Sequence, residues 1–596
     1  MTEEIATTNA EASGEYDSCQ LPFYKPWEAD VIGWGWEGNT GHIRCIHLDW
    51  VSITRAGILS VVVQSEIDVV GLPRNEVGPQ AKQNYEPRQQ KNTQKEPTNQ
   101  DRDPRFFSPS NLSVMNGAHH PILNANSALD LDLTGAIPAH PLGVKPSGNG
   151  LTASWNLRAS IGHFGILPDE LISLLLESLD EKALRAVGAT CKALHAFTRS
   201  EDLWKTLFIE TSPSDFIWRG TWRSTYLSLP DSKVASPDCS HLFSDVLHRP
   251  FYCAHISLSP YTENIPARNQ ISRLGNLTST EFDDSWADRP FILTEPVKTW
   301  PVYKTWSIET LLKQYDKTLF RAEAVDWPLR TYVDYMNNNS DESPLYLFDR
   351  SFVSKMGLDT DGENAAFLPP ACFGRDLFSV LGAQRPDKEW LIIGPERSGS
   401  TFHKDPNATS AWNAVITGSK YWIMFPSSSC LPPPPGVYVS ADQSEVTSPL
   451  SIAEWLLNFH AAARKVHGCI EGICEAGEVL HVPSGWWHLV VNLSPSIAIT
   501  QNFVPRKHLG AALEFLRYKA DQVSGFKKDV EDPYGIFIQR MHESYPDLLE
   551  RAIKEMESKK KRKWDEIVRT SEEDLDDRNG GFSFGFGDEG SDVEVP

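Results

Sequence analysis

The feature that most constrains this chain is His403-Lys404-Asp405, answered about eighty residues later by His488 in the string Pro483-Ser484-Gly485-Trp486-Trp487-His488. Two histidines and a carboxylate in H-x-D…H order are the ligand set of a mononuclear iron(II) site. Three protein ligands there take one face of an octahedron and leave the other open. The spacing restricts the fold. Residues two apart in an extended strand point to the same side, so His403 and Asp405 can face one interior. The second histidine then comes from another strand, which a long sequence gap permits.

The flanking sequence has the character of a β-barrel wall. Two apolar runs, Ser410–Ile416 and Lys420–Phe425, are separated by Thr417-Gly418-Ser419, a pattern of two strands joined by a tight glycine turn. Lys420 is the odd member, a cation at the head of an otherwise apolar and aromatic strand. A lysine entering a core needs an anionic partner, because an unpaired buried charge is costly. A dicarboxylate ligand meets that need, and a strand-edge lysine snorkelling to water is the alternative. Thr500 and Asn502 fall on one face of the strand Ser496–Phe503, as expected for a lined cavity rather than a plain core.

These strings resemble the JmjC domain of iron(II)- and 2-oxoglutarate-dependent oxygenases, a double-stranded β-helix of the cupin type. They include Asp341-Glu342-Ser343-Pro344-Leu345-Tyr346-Leu347-Phe348-Asp349, Gly394-Pro395-Glu396-Arg397-Ser398-Gly399, the H-x-D-P-x-x-T-S-A-W-N-A run, and Gly485-Trp486-Trp487-His488 with Ile497-Ala498-Ile499-Thr500-Gln501-Asn502-Phe503. Within the superfamily the resemblance is to the phosphatidylserine-receptor-like group, described as lysyl hydroxylases of splicing-related proteins and arginine demethylases of histones. It implies His403, Asp405 and His488 as Fe(II) ligands. It implies Lys420 as the anchor of the distal carboxylate of 2-oxoglutarate, with Thr500 and Tyr346, and Asn413 and Asn502 lining the same pocket. O₂ is the second co-substrate so implied. Lys404, between the ligands, is expected to point away from the metal by strand alternation.

A second module lies upstream. Pro168 followed by Asp169 and Glu170 is a helix-start signal. Apolar residues then recur at helical spacing through Leu174, Leu175, Leu179, Leu184 and Val187, and Cys191-Lys192, His195 and Leu203-Trp204 close a short helical unit. The pattern resembles an F-box, which implies docking of an apolar helical surface (residues 164–204) onto a Skp1-type adaptor. A small helical domain packed onto the oxygenase is the alternative, since about fifty helical residues are marginal alone.

The expected organisation is an α+β multidomain chain. A largely disordered region over 1–160 precedes an F-box-like module at 161–210 and a connecting region at 211–286. A JmjC barrel follows at 287–507, then C-terminal helices at 508–567 and a disordered acidic tail at 568–596. The Gln/Asn/Pro/Lys-rich stretch from Pro73 to Pro109 is too polar to bury a core, and Val51–Val70 is expected to hold an isolated strand. No secretory signal and no membrane span are expected. Nine scattered cysteines show no paired framework, and Cys469, Cys474 and His467 lack a second ligand pair for zinc.

A formal net charge of −23 argues against direct nucleic-acid binding and favours basic protein substrates such as Lys/Arg-rich tails, among which the resemblance implies a histone or splicing-related protein. His508–Val523 and Tyr534–Trp564 are expected as helices, with a stripe of Leu509, Leu513, Phe515 and Leu516 serving either a homodimer or packing on the barrel. Lys559-Lys560-Lys561-Arg562-Lys563 suits nuclear import or a solvated helix end, and a nuclear, possibly also cytoplasmic, location is the expectation. Two functions stand open. One is an oxygenase that hydroxylates protein lysine or demethylates methyl-arginine or methyl-lysine. The other is an F-box substrate receptor of a cullin ubiquitin ligase that uses the barrel for binding.

Overall fold

The computed structural model describes residues 137–576, apart from Ser214, 231–233, 429–430 and Asp442, together with four short strands nearer the N-terminus. Those strands form two hairpins, one of which pairs Val51–Ile53 with Leu59–Val61 where a lone strand is expected. The Pro73–Pro109 stretch and the tail beyond Asp576 lie outside the described residues.

The barrel is two facing sheets. The larger is built from β1 (Ser272–Leu274), β2 (Phe291–Leu293), β3 (Leu319–Ala322), β4 (Val325–Pro328), β5 (Leu347–Asp349), β6 (Glu389–Gly394), β8 (Ser410–Thr417), β11 (Val479–Val482) and β13 (Ser496–Phe503), in the order β1-β2-β11-β8-β13-β6-β5-β3-β4. The smaller contains β7 (Gly399–His403), β9 (Ser419–Phe425), β10 (Ile470–Glu475) and β12 (Trp487–Asn492), in the order β7-β12-β9-β10. All pairings are antiparallel except β1 with β2. The expected glycine turn is present at Gly418, φ 81°. It does not make a hairpin, however, because β8 enters the large sheet and β9 the small one. A Cβ at Gly418 would sit 2.5 Å from the Pro495 carbonyl, so only glycine makes this corner.

Period-two alternation sorts the large sheet's side chains. Trp412, Ala414, Ile416, Val479, Ile497 and Ile499 face outward into the main core, whereas Ala411, Val415, Leu480 and Val482 face inward with Trp422, Met424 and Val490 of the small sheet. Inside, the apolar layer gives way to Asn413, Lys420, Asn492, Thr500 and Asn502, all buried.

Upstream, α1 (Asp169–Glu177), α2 (Glu181–Gly188), α3 (Lys192–Phe197) and α4 (Glu201–Thr211) form the short helical unit. Asp180 caps α2 by accepting the Ala183 N–H. These helices have no separate core. Phe208 of α4 meets Trp222 and Trp327 edge-on at 5.5 and 5.8 Å, and Trp218, Trp222 and Tyr335 complete one aromatic cluster with the large sheet. Two expected boundaries fall inside packed chain. Residues 137–160, expected disordered, bury Leu142, Val144 and Leu157, and the connecting region buries Trp218 and Trp222.

The C-terminal helices are α5 (Leu509–Tyr518), α6 (Pro533–Ser544) and α7 (Pro546–Asp576). A single helix was expected from Tyr534, but Pro546 has no N–H and disfavours helix at Tyr545, so the chain breaks there. Leu509, Leu513 and Leu516 are buried against Leu377, Phe378, Leu381 and Phe537 of the same chain. These three members of the stripe are therefore covered intramolecularly, while Phe515 is half-buried. No single helix among the described residues is long and apolar enough to cross a membrane.

Candidate active site

His403 ends β7 and His488 opens β12, and the two are direct partners in the antiparallel register. Their rings lie 4.1 Å apart. Asp405 follows β7 by two residues, and ligand atoms from all three side chains lie within 4.8 Å of one another. Among the described residues this is the one such group of His, Cys, Asp and Glu.

The histidines are set in one tautomer. His403 Nδ1 is 2.8 Å from the Thr401 carbonyl and His488 Nδ1 is 3.1 Å from the Trp486 carbonyl. A carbonyl only accepts, so each Nδ1 carries a proton and Nε2 is the ring atom left to serve as a ligand. Burial, and then the neighbouring His403, hold His488 far below the ordinary histidine range, so it stays neutral. Burial raises the Asp405 carboxyl, against the pull of His403 and a hydrogen bond from Asn502. Asp405 Oδ2 is buried without a hydrogen-bond partner. Two imidazoles whose Nδ1 atoms are engaged by carbonyls, and a buried carboxylate oxygen without a partner, make the donor set that a divalent cation requires.

Lys420 lies deeper. It is 0% exposed, and its Nζ donates to the Tyr346 hydroxyl and to Asn492 Oδ1, each at 2.7 Å. Both partners are neutral. Burial lowers its pKa to about 7. The facing Cys474 provides no anion, since burial raises its thiol pKa and keeps it protonated. A buried ammonium with no counter-charge is the mark of a site that awaits an anion.

Of the expected pocket residues, Asn413 and Thr500 are register partners on β8 and β13. The Asn413 Oδ1 has no partner, while the Thr500 hydroxyl donates to the Trp412 carbonyl at 2.8 Å. Asn502 Nδ2 donates to Thr409 Oγ1 at 2.8 Å, on the loop that carries Asp405. Lys404 turns away from the ligands, its Nζ 4.5 Å from the centre of the Trp487 ring.

Sequence reasoning missed five members. Asn492 bridges Lys420 to Ser398, donating to Ser398 Oγ at 2.9 Å. Gly394 leaves them room, for its Cβ would fall 2.2 Å from Ser398 Oγ and 2.7 Å from Tyr346 Cδ2. Trp422 Nε1 and Ser496 Oγ are further buried groups without partners. The signal for Trp422 was its phase. It lies two residues after Lys420 and shares its face.

A family model described as a cupin-like domain matches residues 285–508, and one described as F-box-like matches 164–210. The chain is 38% identical over 440 residues to the arginine-specific demethylase JMJ22 of Arabidopsis thaliana, covering 72% of this chain and 86% of that protein. It is 33% identical over 260 residues to the bifunctional arginine demethylase and lysyl-hydroxylase psr-1 of Caenorhabditis elegans, covering 41% and 64%. The 2-oxoglutarate and iron-dependent oxygenase JMJD4 of Danio rerio is 24% identical over 334 residues, covering 52% and 71%. With the barrel, the three-ligand cluster and the extent of the first of these matches, the chain belongs to the cupin-like JmjC family of iron- and 2-oxoglutarate-dependent oxygenases, and carries an F-box-like segment ahead of its barrel.

Proposed function

We propose that this oxygenase binds Fe(II) through His403, Asp405 and His488 and 2-oxoglutarate through Lys420, and acts with O₂ on arginine or lysine side chains of basic proteins. The observation that carries the reading is the Lys420 ammonium, buried among neutral groups beside a three-ligand cluster. A dicarboxylate reaching from the metal to Lys420 satisfies both ends at once. Tyr346 and Asn492 hold the ammonium in place, and Thr500 and Asn413 line the wall.

Iron with 2-oxoglutarate and O₂ supplies, when bound, an oxidant that removes a hydrogen from a substrate carbon and returns a hydroxyl. This chain's part is position and dryness. The Nδ1–carbonyl bonds fix both imidazoles, Asn502 steadies Asp405, and the apolar layer of Val415, Leu480 and Trp422 closes the barrel behind the site. Hydroxylation of a side-chain methylene leaves an alcohol. Hydroxylation of an N-methyl group leaves a hemiaminal that loses formaldehyde, which amounts to demethylation. The names of the JMJ22 and psr-1 relatives support arginine demethylation, and that of psr-1 lysyl hydroxylation as well. The basic run Lys559–Lys563 near the end of the last helix supports a nuclear location as part of this reading.

A second role is favoured by the surface of the F-box-like unit. Phe164, Ile166, Leu171 and Leu174 are exposed, with Leu174 at 56%. Such an apolar face on α1 and the segment before it fits a Skp1-type adaptor.

The test uses purified protein with Fe(II), ascorbate and 2-oxoglutarate on Lys/Arg-rich peptides, methylated and not, beside His403→Ala. Succinate with loss of methyl and release of formaldehyde is the expected result for methyl-arginine, and gain of one oxygen for lysine. Absence of 2-oxoglutarate binding and of turnover on every peptide would leave adaptor recruitment as the function.

A further inference from the structure

Tyr346 is held in an unusual way. The N–H groups of Leu345, Tyr346 and Leu347 are each taken by a side chain. Leu345 donates to the Tyr335 hydroxyl at 2.8 Å, Tyr346 to Glu323 Oε1 at 3.1 Å and Leu347 to the Tyr332 hydroxyl at 3.1 Å. The Tyr332 hydroxyl also meets the Leu345 and Ile393 carbonyls at 2.9 and 2.8 Å, beside Gly394. Tyr335 in turn donates to Asp341 at 2.8 Å, which also accepts the indole N–H of Trp222 at 2.8 Å.

Glu323 is the strained member. It sits in the turn between β3 and β4 with φ 49°, the left-handed region that non-glycine residues avoid. Such strain persists where the surroundings fix it, and it concentrates near functional sites. The residue is exposed at the turn, yet its carboxylate reaches inward to a single N–H, that of the residue whose phenol shares the Lys420 ammonium. Burial raises the carboxyls of Glu323 and Asp341, and the charge of Lys205 on α4 opposes that rise at both.

We propose that Glu323 is a positioning residue for co-substrate binding: its carboxylate fixes the Tyr346 peptide, and through it the phenol that places the Lys420 ammonium. This rests on Lys420 being the 2-oxoglutarate anchor.

The experiment uses full-length protein with Glu323→Gly and Glu323→Gln. Glycine accepts the positive φ without strain while the hydrogen bond to the Tyr346 N–H is lost, and the unfolding midpoint of both variants is read alongside to show that each is folded at the assay temperature. Glutamine keeps a carbonyl oxygen at the acceptor position. Amide exchange of the segment 345–347 should quicken about tenfold in Glu323→Gly and stay at the wild-type rate in Glu323→Gln. Titration of 2-oxoglutarate into Mn(II)-loaded protein should show a Kd raised about tenfold in the glycine variant and restored to within about twofold in the glutamine variant. Wild-type exchange and wild-type affinity in Glu323→Gly would overturn the proposal. A wild-type protein that takes up no 2-oxoglutarate would instead sink the reading beneath it, and exchange at Tyr346 would still decide whether Glu323 holds that peptide.

Discussion

His403 and His488 face each other across neighbouring antiparallel strands, and each turns its Nδ1 to the carbonyl two residues earlier in its own chain. One local rule applied twice thus leaves two Nε2 lone pairs directed into the same space, with Asp405 Oδ2 as the third donor.

The metal-free protein should therefore be at odds with its own site. Asp405→Asn removes a buried charge with a bare oxygen and should stabilise the metal-free protein by about 1–2 kcal/mol. The same change should abolish the stabilisation that Mn(II) gives the wild type. Denaturant midpoints with and without Mn(II) check both signs.

Lys420 gives a pH dependence. Its folded-state pKa of about 7 lies below the ordinary 10.5. Between those values the native state binds fewer protons than the unfolded chain, so the stability of the ligand-free protein should rise with pH across that window. Binding a dicarboxylate restores the ammonium and takes up a proton above pH 7. Affinity for 2-oxoglutarate should then fall by up to about tenfold per pH unit there. Lys420→Met should flatten both profiles, stabilise the free protein and lose co-substrate binding, as read by unfolding and titration calorimetry at several pH values.

Gly394→Ala should behave as a pocket mutation despite its small size. The added methyl meets Ser398 Oγ at 2.2 Å and Tyr346 Cδ2 at 2.7 Å, so both must shift. A stability loss of about 1–3 kcal/mol and a more than tenfold weaker 2-oxoglutarate affinity are expected. Unchanged affinity would show that Tyr346 and Asn492 do not set the pocket.

The F-box-like helices should melt with the barrel. Trp222→Ala, which empties a fully buried site between them, should cost about 3–5 kcal/mol and lower one common calorimetric transition. Leu174→Asp alters only an exposed side chain and should leave that transition in place while ending adaptor capture.

The cluster of His403, Asp405 and His488, Lys420 and the polar face of β13 were legible because strand alternation turns a spacing of two into a shared side. Lys420 stood out for its chemistry, a cation among aromatics. Asn492 and Ser398 were not legible. Each sits where a strand meets a turn, and Asn and Ser are ordinary there, so nothing local marks a side chain that reaches across the barrel to Lys420. The fusion of the F-box-like helices to the sheet was hidden for a related reason. Trp218, Trp222, Trp327 and Tyr335 are scattered over more than a hundred residues, and periodicity cannot tell whether an apolar face meets its own unit or another.

The corner at Gly418 sends consecutive strands into opposite sheets, and this fixes the order in which the protein can become competent. His403, His488 and Lys420 belong to the small sheet and Asn413, Thr500 and Asn502 to the large one, so the pocket has its full lining only when the two sheets have met. Pairings that join residues so far apart in sequence form slowly and together. The wall that Asn413, Thr500 and Asn502 give to the Lys420 pocket is therefore the last part of the site to be put in place, when the large sheet closes over the small one.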